Sequence, residues 1–168
     1  MGAGKILCIL GGIIALVATL FFSFFTLEIF FIEFPGYGIA LFMNFLDIID
    51  GGEILYIIFA IIYALGVISG LFILIGVKSR VLAIIGSVFA LFLGVMILLV
   101  VGLEIDLGND LNISVLMFAD EALVDGILPF DIPLGLGNPF LVMNLGTVLL
   151  IAGGALGLIG GIMGSDDL

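Results

Sequence analysis

The feature that most constrains this chain is a set of four long runs without a charged residue, at about residues 6–27, 54–77, 81–103 and 140–163. A helix rises about 1.5 Å per residue, so roughly 20 apolar residues cross a hydrocarbon core of about 30 Å. Lipid offers no hydrogen-bond partners to backbone amides, and the runs lack the alternation of barrel strands. The sequence therefore predicts an all-α integral membrane protein, a single domain over residues 1–168 built as an up-down bundle of four transmembrane helices.

Composition excludes several function classes. Only 10% of the residues are charged, against roughly 25% in an ordinary soluble domain. The net charge of −11 removes the electrostatic attraction on which nucleic-acid binding depends, so no nucleic-acid partner is expected. The chain has no His and one Cys, which excludes His-based catalysis, His-ligated metals and an internal disulfide. No nucleophile with a base and no phosphate-binding glycine loop is found, so we expect neither an enzyme nor a cofactor.

The three cations of the chain predict its orientation in the membrane. Lys5 precedes the first run, and Lys78 and Arg80 lie between the second and third runs. All three fall on one side if every run crosses, and basic residues stay cytoplasmic. We therefore predict that they are topology anchors and that both termini are cytoplasmic. For Lys78 and Arg80, a contact with lipid headgroups or a partner is the alternative.

The loops at about 28–53 and 104–139 are then extracytoplasmic and are predicted to form a small, acidic cap. They hold twelve of the fourteen acidic residues, all except Asp166 and Asp167. In the first loop we expect a short helix at 39–49 between Pro-Gly and Gly-Gly turns. In the second, residues 113–118 have strand-like composition and residues 119–124 could form a helical turn, while prolines and glycines between 129 and 139 predict turns.

Two ligand or modification sites are weaker hypotheses on the second loop. Asn112 begins the triplet Asn-Ile-Ser, which is a candidate glycosylation site on the predicted outer side. The stretch 106–112 is rich in oxygen ligands but lacks the spacing of a calcium-binding loop. A structural cation site there stays open as an alternative.

Small residues recur at intervals of four in the runs and predict close helix packing, because backbones can approach where side chains are missing. We expect packing inside the bundle. The alternative is that the fourth run, which carries a further step at Gly160 and Gly164, pairs with another copy or subunit. The predicted packing residues are Gly66, Gly70, Gly86, Ala90, Gly94, Gly153, Gly157 and Gly161.

The interior of the four runs lacks ionisable residues at mid-depth, which disfavours proton relays, voltage sensors and ion-coupled carriers. Asn144 and Thr147 in the fourth run are predicted to form helix-to-helix hydrogen bonds. Cys8 lies near the cytoplasmic end of the first run, where palmitoylation is one outcome and a buried, inert thiol is the other.

The stretch "GVKSRVLAIIG", Gly76 to Gly86, is similar to the basic turn that links the second and third spans of tetraspanins, and Cys8 lies where that family carries acylated cysteines. The order of four spans, a small first outer loop and a larger second one also resembles tetraspanins. Their Cys-Cys-Gly signature and intramembrane polar residues are missing here. The resemblance implies a membrane organiser that binds lateral partners, and it transfers no functional residue.

These observations predict a non-catalytic structural, scaffold or accessory subunit in a multi-pass membrane location. Its expected partners are membrane lipids, copies of itself or other membrane-protein subunits. The alternative is a homo-oligomeric pore whose acidic outer vestibule concentrates cations. A small transporter or lipid-handling protein has no support from individual residues.

Overall fold

The computed structural model describes residues 2–38, 54–105 and 130–163. Within these residues the helices are α1 (Ala3–Phe21), α2 (Ile54–Val67), α3 (Ser69–Ile75), α4 (Arg80–Ile97) and α5 (Leu145–Met163). A π-helical turn at Leu98–Gly102 extends α4. The strands are β1 (Ser23–Ile29), β2 (Ile32–Tyr37), β3 (Pro133–Asn138) and β4 (Leu141–Asn144).

The prediction of an all-α protein is wrong, because the described strands form one antiparallel sheet in the order β2-β1-β4-β3. The first run was predicted to be helical to residue 27, but α1 ends at Phe21 and Phe22 is already extended. Residues 23–29 continue as β1, which is rich in the aromatic and β-branched side chains that fit a pleated sheet. Hydropathy alone did not separate this strand from the helix before it.

The fourth run requires the same correction at its other end. The helix was predicted from residue 140, but residues 141–144 form β4 and α5 begins at Leu145. Residues 133–138, predicted as turns, form the edge strand β3 with an irregular register. A proline is tolerated at the first residue of an edge strand, and Gly135 and Gly137 adopt the positive φ angles of 69° and 108° that accompany the irregularity.

Three helices in the described residues are long and apolar enough to cross a membrane: Ala3–Phe21, Arg80–Gly102 and Leu145–Met163. This supports a multi-pass membrane protein. The predicted second span is instead divided at Ile68, which leaves α2 with 14 residues and α3 with 7. The expected helix at 39–49, the elements at 113–124, the ligand-rich stretch 106–112 and the glycosylation candidate Asn112 lie outside the described residues.

The helices pack around α5, which contacts α1 over most of its length and α4 on another side. α3 packs against both α1 and α4, and α2 packs against α4. Because β1 follows α1 directly and β4 precedes α5 directly, the sheet lies where α1 and α4 end; we call this the sheet end. The opposite end, where α1 and α4 begin and α5 finishes, is called the basic end.

Candidate functional site

The predicted packing residues are all buried between helices of this chain. A Cβ added to Gly153 would lie 2.7 Å from the backbone nitrogen of Ala15 in α1, and one added to Gly11 would lie 2.6 Å from backbone atoms of both Gly153 and Gly157. α1 and α5 therefore touch through their backbones. Gly154 and Gly161, which lie two helical turns apart on α5, face α4 instead.

The remaining small residues pack in the same way. Gly66 of α2 contacts Leu93 of α4, and Gly70 of α3 contacts Gly12 and Leu16 of α1. In α4, Gly86 contacts Ser69 and Phe72 of α3. Further along α4, Ala90 contacts Gly154 of α5 and Gly94 contacts Ile151 of α5. On α5, Gly160 meets Gly4 and Cys8 of α1. Among the described residues, the glycine faces that suggested contact with another copy are thus covered by other helices of this chain, and Gly164 lies outside the described residues. Cys8 is a buried free thiol.

The three predicted topology anchors lie at the basic end. Lys5 is in the first turn of α1, Lys78 is in the turn before α4, and Arg80 begins α4. Arg80 has a structural role that the sequence did not reveal, because its Nε donates to the Gly161 carbonyl at 3.1 Å and its Nη2 to the Ile162 carbonyl at 2.8 Å. A cation that binds the last carbonyls of a helix also stabilises its dipole.

A polar group at the junction of helices and sheet, which we call the junction cluster, consists of Ser23, Thr26, Asp131 and Asn144. The Asn144 Nδ2 donates to Ser23 Oγ at 2.7 Å, to Thr26 Oγ1 at 2.8 Å and to Asp131 Oδ1. The Ser23 hydroxyl donates to Asp131 Oδ1 at 2.7 Å, and the Thr26 hydroxyl donates to Asp131 Oδ2 at 3.0 Å. The cluster ties β1 and β4 to the segment before β3.

The junction cluster revises the expected roles of Asn144 and Thr147. Asn144 ends β4 rather than lying in a helix, and the Thr147 hydroxyl donates to the Phe24 carbonyl of β1 at 2.7 Å. The Thr147 bond joins α5 to the sheet, and the Asn144 bonds join β4 to β1 and to the segment before β3, so neither residue bonds one helix to another. Tyr37 is buried at the end of β2. This burial raises the pKa of the Tyr37 phenol to about 12, and the negative charge of Asp131 is the smaller, second cause.

The outermost part of the sheet carries three exposed phenylalanines, which we call the aromatic tip: Phe30, Phe31 and Phe140. Phe30 and Phe31 form the β1–β2 turn and are 91% and 95% exposed, and Phe140 in the β3–β4 turn is 69% exposed. The two turns are neighbours because the Glu28 amide donates to the Phe140 carbonyl at 2.7 Å. Between them lies an open cavity of about 470 Å³, lined by Leu27, Glu28 and the three phenylalanines.

The backbone of the tip is strained. Phe30 and Phe31 have φ angles of 51° and 68°, the left-handed pair that a two-residue type I′ hairpin turn requires. Asn-Gly is the usual sequence there, and a residue with a Cβ costs roughly 1–2 kcal/mol in this region. Two phenylalanines in such a turn sacrifice stability and bury almost nothing within the chain. Strain and exposure at one site together point to a function.

An acidic cavity of about 310 Å³ lies beside the aromatic tip and is lined by Thr26, Glu28, Glu33, Asp131 and three apolar residues. Glu28 and Glu33 are directly opposite each other on β1 and β2, where like charges destabilise the pair. No group of acidic, His or Cys side chains with the arrangement of a metal site occurs among the described residues. The tip therefore has a negatively charged border.

Comparison of the chain with protein-family models, with curated proteins and with solved structures finds no match.

Proposed function

We propose that this protein is a non-catalytic accessory or scaffold subunit that binds the extramembrane part of another membrane protein through its aromatic tip. The observation that carries the proposal is the turn formed by Phe30 and Phe31, which is strained, almost completely exposed and outside the helices. Aromatic side chains are the usual anchors of protein interfaces because they fill pockets with a large apolar area. A partner surface would cover them.

The helices offer less for recognition than the sheet does. The small-residue faces of α5 are filled by α1 and α4, so in the described residues they are not free to form a second interface. The outward side chains of the helices, such as Ile13, Val88 and Ile159, are aliphatic and suit contact with lipid tails. Binding through the sheet end is therefore favoured over binding through a glycine stripe.

The charge around the tip selects the kind of partner. Glu28 lines the tip cavity, and Glu33 and Asp131 border the acidic cavity next to it. An anionic lipid surface would be repelled by this border, whereas a protein with an apolar groove and basic residues at its rim would be complementary. We therefore infer a protein partner with that surface and not the bilayer itself.

The alternative of a homo-oligomeric pore gains no support from the described helices. Their polar side chains Thr19, Ser69 and Ser87 are buried. Thr19 and Ser87 bond back to carbonyls of their own helices at 3.0 Å and 2.6 Å. Such side chains do not provide a polar lining for water or ions. Recording from purified protein in planar bilayers is the direct test, and we expect no unitary currents.

The accessory-subunit proposal is tested by the double substitution Phe30→Asn and Phe31→Gly. This pair suits a type I′ turn, so the variant should unfold at an equal or higher temperature than the native protein while losing the partner. The measurement is quantitative mass spectrometry of proteins that co-purify in mild detergent from the native membrane. The matched control, Leu134→Thr, removes an exposed apolar side chain from β3 and should retain the partner.

A photo-crosslinking residue at position 31 adds a direct test of the contact. We expect a crosslink to one other membrane protein that the double substitution also loses. Crosslinking only to lipid, or retention of the same partner by the double variant, would refute the proposal. A crosslinked product of twice the mass of the chain would identify a second copy as the occupant. It would contradict the proposal that the partner is a different protein.

A further inference from the structure

All three cations of this strongly acidic chain border the same small pocket at the basic end. Lys5 is contributed by α1, Lys78 by the turn after α3, and Arg80 by the start of α4. Lys78 and Arg80 are neighbours in one turn, and Lys5 joins them because α1 packs beside that turn. A topological role requires each cation on the correct side of the membrane, but it does not require the three to surround a common cavity.

The positive charge of this pocket is not balanced by the carboxylates that the structure describes. These are Glu28, Glu33, Glu104 and Asp131, and all of them belong to the sheet end. Arg80 uses two of its N–H groups on the carbonyls of α5, which leaves donors of its guanidinium available. The side chain of Lys78 is exposed and that of Lys5 is half-buried, so both ammonium groups are accessible.

Helix ends of both signs meet at this pocket, because its lining includes Gly76 after α3 and Gly160 and Gly161 near the end of α5 as well as the beginnings of α1 and α4. α1 begins after Gly2 and α4 begins after Ser79, and neither has a side-chain cap or an acidic residue in its first turn. The amides of a first helical turn have no partner within the helix and carry the positive end of the dipole. The last carbonyls of α5 carry the negative end of its dipole and accept from Arg80, so the helix ends offset one another. The cations and the cavity alone carry the inference.

The size and position of the pocket define its ligand. The cavity holds about 20 Å³, which is room for one water-sized group, and it is lined partly by Gly4, Gly76 and Gly160. It lies at the ends of helices long enough to cross a membrane, and phospholipid headgroups are found at the ends of such helices. We propose that this pocket binds a phosphate group, with one phosphate oxygen in the cavity and the rest of the group at its mouth among Lys5, Lys78 and Arg80.

A phosphate group could be supplied by an anionic phospholipid or by free phosphate, and the experiment separates these sources. In one arm, native protein is reconstituted in phosphatidylcholine vesicles that contain phosphatidylglycerol, extracted in mild detergent, and examined by native mass spectrometry for retained lipid. In the other arm, inorganic phosphate is titrated into delipidated protein. Enrichment of phosphatidylglycerol supports a lipid headgroup, and saturable binding of inorganic phosphate alone supports the free ion.

The test variant is Lys5→Gln with Lys78→Gln, which leaves the contact of Arg80 with α5 intact. Loss of two basic side chains should weaken phosphate binding about 30-fold. Lys5→Arg with Lys78→Arg should restore it. The charge-matched control, Leu134→Glu with Leu136→Glu on β3, changes the net charge by the same amount at the sheet end and should bind within about twofold of the native protein.

Three results would overturn the inference. The first is equal phosphate binding by native protein and the glutamine variant. The second is no binding in either arm by a native protein whose thermal unfolding is unchanged by both ligands. The third is binding that arises only after Asp166→Asn with Asp167→Asn, since the chain's own acidic tail would then be the occupant.

Discussion

At the scale of single residues, the junction cluster joins four polar side chains of the described residues by hydrogen bonds. Asn144 has no exposed surface, and its Nδ2 group donates hydrogen bonds to three oxygen atoms. Its own Oδ1 has no hydrogen-bond partner among the described residues. The sequence placed Asn144 in a membrane helix, because an isolated Asn in an apolar run carries no local signal of a strand end.

Replacement of Asn144 tests how strongly the junction cluster stabilises the fold. Asn144→Ala leaves Asp131 and the two hydroxyl groups without their shared donor, and it should lower the free energy of unfolding by about 1–3 kcal/mol. Urea unfolding in detergent is the measurement. Asn138→Ala is the control, because within the described part of the chain its side chain accepts a single, exposed hydrogen bond, from the Phe140 amide. Equal losses in the two variants would contradict a special role for the cluster.

Tyr37 predicts a specific sensitivity to alkaline pH. Its pKa is raised in the folded protein to about 12, from an ordinary value of 10. The unfolded chain therefore loses the phenolic proton first. The stabilisation is complete below pH 10 and is lost as the pH rises from 10 towards 12, by at most about 1.4 kcal/mol per pH unit.

The comparison of native protein with Tyr37→Phe isolates this effect. Unfolding free energies of the two proteins should run parallel below pH 10 and diverge above it, with the native protein losing stability faster. The tyrosinate absorbance of the native protein minus that of Tyr37→Phe should rise with pH, and its midpoint should lie near pH 12. A midpoint near 10 would show that the phenol is solvated and would refute the prediction.

At the scale of elements, the locations of the apolar segments were predictable and their secondary structure was only partly so. Runs long enough to cross lipid were recognised from hydropathy, and α1, α4 and α5 lie within or beside them. The strands were missed because β1 and β4 are also apolar and continue the same runs without a break. Thr26, Leu27, Glu28 and Ile29 alternate between polar and apolar character, and this alternation was the available signal for a strand.

The seam between α1 and α5 gives a prediction for helix packing. Gly11→Ala places a Cβ 2.6 Å from backbone atoms of α5, so the helices must separate. We expect a loss of about 1–3 kcal/mol in unfolding free energy, beyond any gain in helix propensity. Gly102→Ala is the matched control, because its nearest neighbours are the flexible side-chain ends of Met143 and Leu98, at 3.0 Å and 3.1 Å. Titration with a denaturing detergent compares them, and equal midpoints would argue against a backbone-to-backbone seam.

At the scale of the whole molecule, the charge distribution separates two ends. The basic end carries Lys5, Lys78 and Arg80, and the sheet end carries the described carboxylates. The sequence predicted the grouping of the cations on one side from the positive-inside rule, but not the pocket they share. A pocket formed by three separate segments depends on helix packing, which a linear pattern does not encode.

Orientation is tested with single cysteines in a Cys8→Ala background. A cysteine at position 31 should react with an impermeant maleimide on sealed cells. A cysteine at position 79, between the retained Lys78 and Arg80, should react only after permeabilisation, because basic residues stay cytoplasmic. A cysteine at position 134 on β3 provides a second outer position as a control. Reaction of the cysteine at position 79 in sealed cells would show the opposite orientation, with the aromatic tip inside.

The pairing of α1 with α5 has a consequence for biosynthesis. The Cys8 thiol contacts the Gly157 carbonyl across a separation of 149 residues, so the first helix enters the bilayer long before its main neighbour is made. At ordinary translation rates this delay is on the order of ten seconds. During that time the side of α1 that carries Gly11 lacks the α5 backbone against which it packs. Chains that terminate before α5 should therefore be recognised and degraded by membrane quality control.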